Sequence, residues 1–173
     1  MAEDPKYIFA TLTAFRNSDE CTLEQNQARN FDLRQDIRAA GLGFWELKGY
    51  FVETKPITGE QIKVEEESFF VSLPAIKEGD NPEGRLKKFV ITALQKYDQD
   101  AAVIKLQDGN IYLIDKKGNL LDNIGKFSPG KIADCYSRLN NGRTFVFEST
   151  IARSWIRALA ESRVKKLEAE ENK

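Results

Sequence analysis

The chain has 173 residues, of which 41% are hydrophobic and 31% are charged, so we expect one folded domain rather than a disordered chain or a series of modules. Its 26 lysines and arginines nearly balance 27 aspartates and glutamates, which gives no reason to expect nucleic acid or an anionic membrane as partner. There is no histidine, which excludes histidine-activated serine or cysteine nucleophiles and histidine-ligated zinc.

No targeting or redox signal is found in the sequence. The first residues carry acids where a signal peptide carries bases, and no apolar run reaches the roughly 20 residues that cross a bilayer. Cys21 and Cys135 lie far apart and form neither a redox nor a metal-binding spacing. We therefore expect a cytoplasmic protein of a bacterial cell, without membrane attachment.

The first half of the chain alternates between strand and helix signals. Thr22 and Gln25 form a capping box that opens a helix, and Gly41 ends it. A polar stretch around Pro56 and Gly59 is interpreted as a loop or a long hairpin. The predicted elements are a strand over 7–15, a helix over 22–40, and strands over 44–53 and 68–73.

The second half begins with an amphipathic helix and a hairpin. Asp108-Gly109 supplies the positive φ angles of a tight turn between two strands. Ser128-Pro129-Gly130 predicts the start of a short helix that contains Tyr136. The predicted elements are a helix over 83–97, strands over 101–106, 110–115, 120–124 and 143–148, and a helix from 150 to a frayed end.

The order of these elements predicts the fold class. Its first six members follow the ferredoxin-like split βαβ arrangement, in which two helices cover one face of an antiparallel sheet. We predict an α+β sandwich of this kind, with a β/helix extension at the C-terminus. The single α+β domain is expected over 1–149, and a helix with a charged tail over 150–173.

The predicted first helix carries polar residues on its core-facing side. One stripe, at about 100° per residue, contains Asn26, Arg29, Leu33, Ile37 and Ala40. A buried guanidinium must be paired or hydrogen-bonded, and the acidic run at 65–67 offers partners. Two interpretations stay open: a structural clamp between Arg29 and these acids, or a polar pocket that holds an anion such as a nucleotide phosphate.

Two other polar positions are candidates for chemistry. Gln99 follows the second helix, where its amide either ends the helix or reaches into a pocket as donor and acceptor. Glu46 and Lys48 form an E-x-K triplet downstream of Asp32 and Asp36, similar to the magnesium-binding carboxylates of one nuclease class. The triplet supports the alternative of a small metal-dependent enzyme that acts on nucleotides or nucleic acid.

Aromatic and basic segments offer surfaces for a partner. Six aromatic residues are concentrated in two predicted neighbouring strands, so one face of the sheet is a candidate interface. The helix from 150 mixes Arg153, Trp155 and Arg157 with acids, which favours protein docking over nucleic-acid binding. The aromatic residues are Phe44, Trp45, Tyr50, Phe51, Phe69 and Phe70.

Four short motifs occur in order between residues 7 and 115. They are Thr13-Ala14-Phe15, Asn26-x-x-Arg29, Glu66-Glu67-Ser68-Phe69 and Tyr97-x-Gln99-x-Ala101. They resemble a family of short bacterial and phage proteins known only as a domain of unknown function, and look similar to early proteins of T-even-like phages. The resemblance implies no activity and no cofactor. It marks a candidate ligand-binding set, expected to converge on one pocket: Asn26, Arg29, Glu66, Ser68 and Gln99.

The function predicted first is therefore a non-catalytic phage or bacterial accessory protein. It would act by binding a host protein or a small anionic ligand such as a nucleotide, without a metal or another cofactor. The alternatives are the metal-dependent enzyme and a structural subunit that docks through its aromatic strands or its C-terminal helix. The oligomeric state is not predicted.

Overall fold

The computed structural model shows a β-sheet with two helices packed on one face. It describes residues 7–16, 20–54, 59–75, 80–125, 127–129, 136–139 and 144–147. The helices are α1 (Leu23–Ala39) and α2 (Pro82–Lys96). The strands are β1 (Tyr7–Leu12), β2 (Gly43–Thr54), β3 (Gln61–Pro74), β4 (Ala101–Lys105), β5 (Ile111–Asp115), β6 (Leu120–Gly125), β7 (Phe127–Pro129), β8 (Tyr136–Leu139) and β9 (Thr144–Phe147).

Both helices begin where side chains satisfy their first free N–H groups. The Thr22 hydroxyl accepts from the Gln25 N–H at 3.2 Å, and the Gln25 side chain accepts from the Thr22 N–H at 2.8 Å. This capping box confirms the predicted start of α1. At α2, the Asn81 side chain accepts from the Gly84 N–H at 2.8 Å, so that helix also begins close to its predicted position.

Most of the predicted polar stretch belongs to the strands of a long antiparallel hairpin, β2 and β3; its residues 55–58 lie outside the described residues. Pairing runs from Gly43 opposite Ser72 to Thr54 opposite Gln61. β3 therefore begins well before the predicted Ser68, because the backbone ladder continues through residues whose charged side chains carry no strand signal. Between β4 and β5, Gly109 has a φ of +82°, which confirms the predicted tight turn.

The predicted short helix after Ser128 is wrong in its described residues. Ser128 and Pro129 lie in β7 opposite Val146 and Phe145, and Tyr136 begins β8. β7 is at the end of the sheet order, and an edge strand tolerates proline because no neighbour needs its missing N–H. Residues 130–135 and the predicted helix from 150 lie outside the described residues.

The strand order confirms the ferredoxin-like α+β fold. The four strands of the two βα units are adjacent in the order β4-β1-β3-β2, and each neighbouring pair is antiparallel. Further strands extend the sheet at both sides: β5 and β6 beyond β4, and β8, β9 and β7 beyond β2. The first six elements therefore have the predicted arrangement inside a wider sheet.

The main core lies between the helices and the sheet. Leu33 and Ile37 of α1 and Leu86 and Val90 of α2 share one buried cluster with alternate residues of the strands, including Val71. A smaller cluster on the opposite face joins Phe9, Ile111 and Ile124. In the described part of the chain, no helix combines the length and the apolar character needed to cross a bilayer.

Candidate functional site

Two buried asparagines of α1 hold the segment that follows β1. Asn26 accepts from the Arg16 N–H and donates to the Arg16 carbonyl, both at 2.8 Å. Asn30 accepts from the Ala14 N–H and donates to the Glu67 carbonyl, also at 2.8 Å. Each amide thus supplies the donor and the acceptor that a neighbouring strand would otherwise provide.

Arg29 and Gln99 complete the support of this segment. The Arg29 Nε donates to the Ala14 carbonyl at 2.7 Å, and its Nη2 donates to the Tyr97 carbonyl at 2.5 Å. The Gln99 Nε2 donates to the Phe15 carbonyl at 2.9 Å. The predicted clamp between Arg29 and the acidic run at 65–67 is therefore corrected, because backbone carbonyls accept from the guanidinium.

The five candidate ligand-binding residues do not converge on one pocket. Asn26, Arg29 and Gln99 meet around residues 14–16, as their hydrogen bonds show. Ser68 instead lines a separate cavity on the β3 side, and Glu66 is not among the residues that line that cavity. Their role in binding a ligand stays a prediction.

A charge network joins the held segment to the end of α2. Arg16 pairs with Glu20 at 2.5 Å and with Asp98, and Lys116 reaches Asp98 at 3.2 Å. Hydrogen bonds from Arg16 and Lys116 lower the pKa of Asp98 to about 2. Asp98 also has a φ of +48°, a conformation that aspartate adopts more readily than most residues.

Asp36, which was considered as a magnesium ligand, instead links the two helices. It accepts from the Tyr97 hydroxyl at 2.6 Å and from the Lys96 Nζ at 2.7 Å. Burial, together with this bond to Asp36, raises the pKa of Tyr97 to about 12. Asp32 is exposed, and the described residues include no group of three or more side chains able to hold a metal ion.

A cavity of about 240 Å³ lies between α1 and the strands β2 and β3. Charged and aromatic side chains are among its lining residues, and we call it the α1–β2–β3 cavity. Its lining residues are Gln27, Asn30, Phe31, Arg34, Glu46, Leu47, Lys48, Glu67, Ser68 and Phe69.

Two acid–base pairs lie in the wall of this cavity, one between α1 and β2 and one between the neighbouring strands β2 and β3. The Arg34 Nη2 lies 2.5 Å from the Glu46 Oε1, and the Lys48 Nζ lies 4.0 Å from the Glu67 Oε1. Glu46 and Lys48 therefore lie on the same face of β2, as the E-x-K spacing predicts. This face is the one turned toward α1, and its charged side chains remain between one-third and about three-fifths exposed.

The backbone at Glu67 is fixed by two side chains. Its carbonyl accepts from the Thr13 hydroxyl at 2.9 Å and from the Asn30 Nδ2 at 2.8 Å. The glutamate that reaches the cavity therefore stands on a rigid part of β3. The cavity also has an exposed aromatic surface, because Phe31 of α1 lines it and 56% of the surface of Phe31 is exposed.

Sequence reasoning missed Asn30 and Arg34. Asn30 is one helical turn beyond Asn26 and equally buried, so two amides at i and i+4 on a core-facing stripe were the available signal. Arg34 stands next to Leu33, and neither composition nor spacing distinguishes it from the other arginines of α1. Its position becomes significant only when β2 places Glu46 opposite it.

The comparisons with known proteins concern the same part of the chain. A family model described as the S-adenosylmethionine lyase family matches residues 10–148 of the 173, which includes the held segment and the α1–β2–β3 cavity. No curated protein and no solved structure gives a significant match. The description is that of an enzyme, whereas the sequence analysis placed a non-catalytic binding protein first. Because the match extends over more than half of its length, the chain belongs to the S-adenosylmethionine lyase family.

Proposed function

We propose that this protein is a lyase that cleaves a carbon–sulfur bond of S-adenosylmethionine in the α1–β2–β3 cavity. Family membership supports the reaction class. The observation that carries the location is the position of Glu67, a carboxylate on a fixed strand backbone that faces a cavity with cations and aromatic rings. Of the functions predicted from the sequence, the histidine-free enzyme is thereby preferred to the binding protein. The proposed substrate is S-adenosylmethionine instead of a nucleotide or nucleic acid, and the proposed reaction uses no metal.

The cavity lining complements the groups of this substrate. S-adenosylmethionine carries two positive groups, a sulfonium and an ammonium, together with one carboxylate and a flat adenine ring. Glu46 and Glu67 offer anions, Arg34 and Lys48 offer cations, and exposed Phe31 offers a surface for stacking. Since about 240 Å³ is below the roughly 300–1,000 Å³ of typical ligand pockets, the substrate would extend into the open mouth beside Phe31.

Cleavage without water constrains the chemistry. The electron pair of the broken C–S bond goes to the sulfonium sulfur, which leaves as a neutral thioether. The remaining carbon is then satisfied within the substrate, through ring closure by its own carboxylate or through loss of a neighbouring C–H proton to a base. The Glu67 carboxylate would orient the positively charged sulfonium in the first route and accept the proton in the second. Neither route needs a histidine.

The test is turnover of S-adenosylmethionine by the purified full-length protein, followed by liquid chromatography and mass spectrometry. A lyase gives two products whose masses add up to that of the substrate, with no water added. A lactone identifies ring closure, and an unsaturated amino acid identifies proton loss. We expect Glu67→Gln to reduce kcat/KM by roughly 100-fold or more, the usual effect of removing one charged group from a reacting centre.

Glu24→Gln is the matched control, because Glu24 is an exposed glutamate in the first turn of α1 and should leave turnover unchanged. Glutamine at position 67 keeps the size of the side chain and the backbone carbonyl that Thr13 and Asn30 hold, so the variant should fold. Equal activity of Glu67→Gln and wild type would place the reaction elsewhere. Binding of S-adenosylmethionine without any turnover would instead favour the non-catalytic binding protein.

A further inference from the structure

Arg34 lines the α1–β2–β3 cavity, and its guanidinium is only partly paired. Among the described residues, its Nε is the buried side-chain polar atom that lacks a hydrogen-bond partner. Leaving a buried donor of a charged group unpaired is costly, so such atoms in native proteins need an explanation. A ligand that completes the pairing of the guanidinium is one such explanation.

The rest of the guanidinium is held in a fixed orientation. Its Nη2 pairs with Glu46 at 2.5 Å, and its carbon lies 5.9 Å from the centre of the Phe69 ring. Phe69 is buried, with 2% of its surface exposed, so the guanidinium packs against a residue of the core. An arginine held in this way presents its donors as a preorganised fork, which suits a planar carboxylate better than a single acceptor atom.

The Arg34–Glu46 pair is complementary in charge to the zwitterionic end of an α-amino acid. In the zwitterionic end of an amino acid, a carboxylate and an ammonium are attached to the same carbon. A cation and an anion held side by side in the protein offer a partner to each of these groups at the same time. The adenosine part of S-adenosylmethionine carries no negative charge, so its carboxylate is the anionic acceptor that the substrate brings.

We propose that Arg34 binds the carboxylate of the amino acid end of S-adenosylmethionine through the guanidinium donors that Glu46 leaves free, while Glu46 accepts from the ammonium of the same end. Arg34 is thereby a specificity-determining residue that selects a substrate with an intact α-amino acid. This inference rests on the function proposed above, because it requires S-adenosylmethionine to bind in this cavity.

The test compares ligands with and without the amino acid end by isothermal titration calorimetry. Sinefungin, an unreactive analogue, keeps that end, whereas methylthioadenosine lacks it. We expect Arg34→Gln to weaken sinefungin binding by about ten- to a hundredfold, the loss typical of a charged hydrogen bond, and to leave methylthioadenosine binding within about twofold. Arg38→Gln is the matched control, since Arg38 lies one turn further along α1 against Phe44 and outside the cavity.

A second measurement uses only the wild-type protein, so its result does not depend on the folding of a variant. Decarboxylated S-adenosylmethionine should compete with sinefungin at least tenfold more weakly than S-adenosylmethionine does. Equal competition by the two compounds, or an equal loss of both ligands in Arg34→Gln, would overturn the role of Arg34 and leave the proposed function intact. Failure of the wild type to bind any adenosine-containing ligand would overturn both proposals together.

Discussion

Arg29 joins the ends of two elements through carbonyl groups that have no other partner in a ladder. Its Nε and Nη2 donate to Ala14 after β1 and to Tyr97 after α2. We expect Arg29→Ala to leave the Ala14 carbonyl unsatisfied and the Tyr97 carbonyl with only the 3.3 Å bond from the Gln99 Nε2, and to destabilise the protein by about 2–3 kcal/mol. For a chain of this size that corresponds to a melting temperature lower by roughly 4 °C or more, which calorimetry of the purified variant measures.

Arg85→Ala is the control for a surface arginine, because Arg85 pairs with Asp80 at the start of α2 and such pairs contribute under about 1 kcal/mol. The interpretation of Arg29 as a ligand group makes the opposite prediction. It requires an unchanged melting temperature together with lost binding of an anionic ligand such as ATP. Calorimetry and titration of the same sample decide between the two.

The partners of Arg29 also show which contacts of a single residue could not be predicted from the sequence. That the guanidinium is partnered was predictable from its position on the core-facing stripe. The identity of the partners was not, because every residue carries a carbonyl and a backbone acceptor therefore leaves no mark in the sequence. The acidic side chains at 65–67 can be recognised in the sequence, and they were therefore the predicted partners of Arg29. The capping box at Thr22, by contrast, is made of side chains and was predicted in full.

Asp98 follows α2 and forms ion pairs with Arg16 after β1 and with Lys116 after β5. Arg16 and Lys116 hold its pKa at about 2, below the ordinary 3.8, so the carboxylate contributes stability above pH 4 that disappears as the pH falls toward 2. Since 58% of the side chain is exposed, the contribution is under about 1 kcal/mol. We expect Asp98→Asn to be slightly less stable than wild type at pH 7 and equally stable near pH 2.

Urea unfolding at pH 7, pH 4 and pH 2 measures this difference. Asparagine tolerates the positive φ of residue 98 as well as aspartate does, so the substitution changes the charge and leaves the turn intact. A difference in unfolding free energy that stays constant across the pH range would show that the turn, and not the ion pairs, accounts for the effect.

At the scale of elements, the sequence predicted what depends on local signals. Both helices and the β4–β5 hairpin follow from caps, apolar spacing and Asp108-Gly109. The length of β3 and the strand conformation of β7 do not follow from local signals, because both depend on pairing with a neighbouring strand. Residues before Ser68 pair with β2 although their own composition is polar, and Pro129 is accepted in a strand because it lies at an edge. The cavity needs both kinds of element, since α1 supplies Arg34 and the long hairpin supplies Glu46 and Glu67.

Across the whole molecule, the sheet extends beyond the ferredoxin-like core and braces the strand that carries part of the candidate site. β8 pairs with Leu47–Tyr50 of β2 on one side and with β9 on the other. A strand with partners on both sides uses each N–H in one of its two ladders. We expect Ser137→Pro to remove such a bond and to cost about 1–3 kcal/mol. Amide hydrogen exchange at residues 47–50 should then become faster than in the wild type.

The same substitution connects the outer strands with the proposed chemistry. Glu46 lies next to, and Lys48 within, the segment of β2 that β8 covers, so a loosened ladder should raise the KM for S-adenosylmethionine as well as lower the melting temperature of the protein. Ser137→Ala, which keeps the backbone N–H, is the control and should resemble wild type in both measurements. Unchanged amide hydrogen exchange at residues 47–50 in Ser137→Pro would mean that β8 does not stabilise β2 in solution. The geometry of the cavity would then depend on the ferredoxin-like core alone.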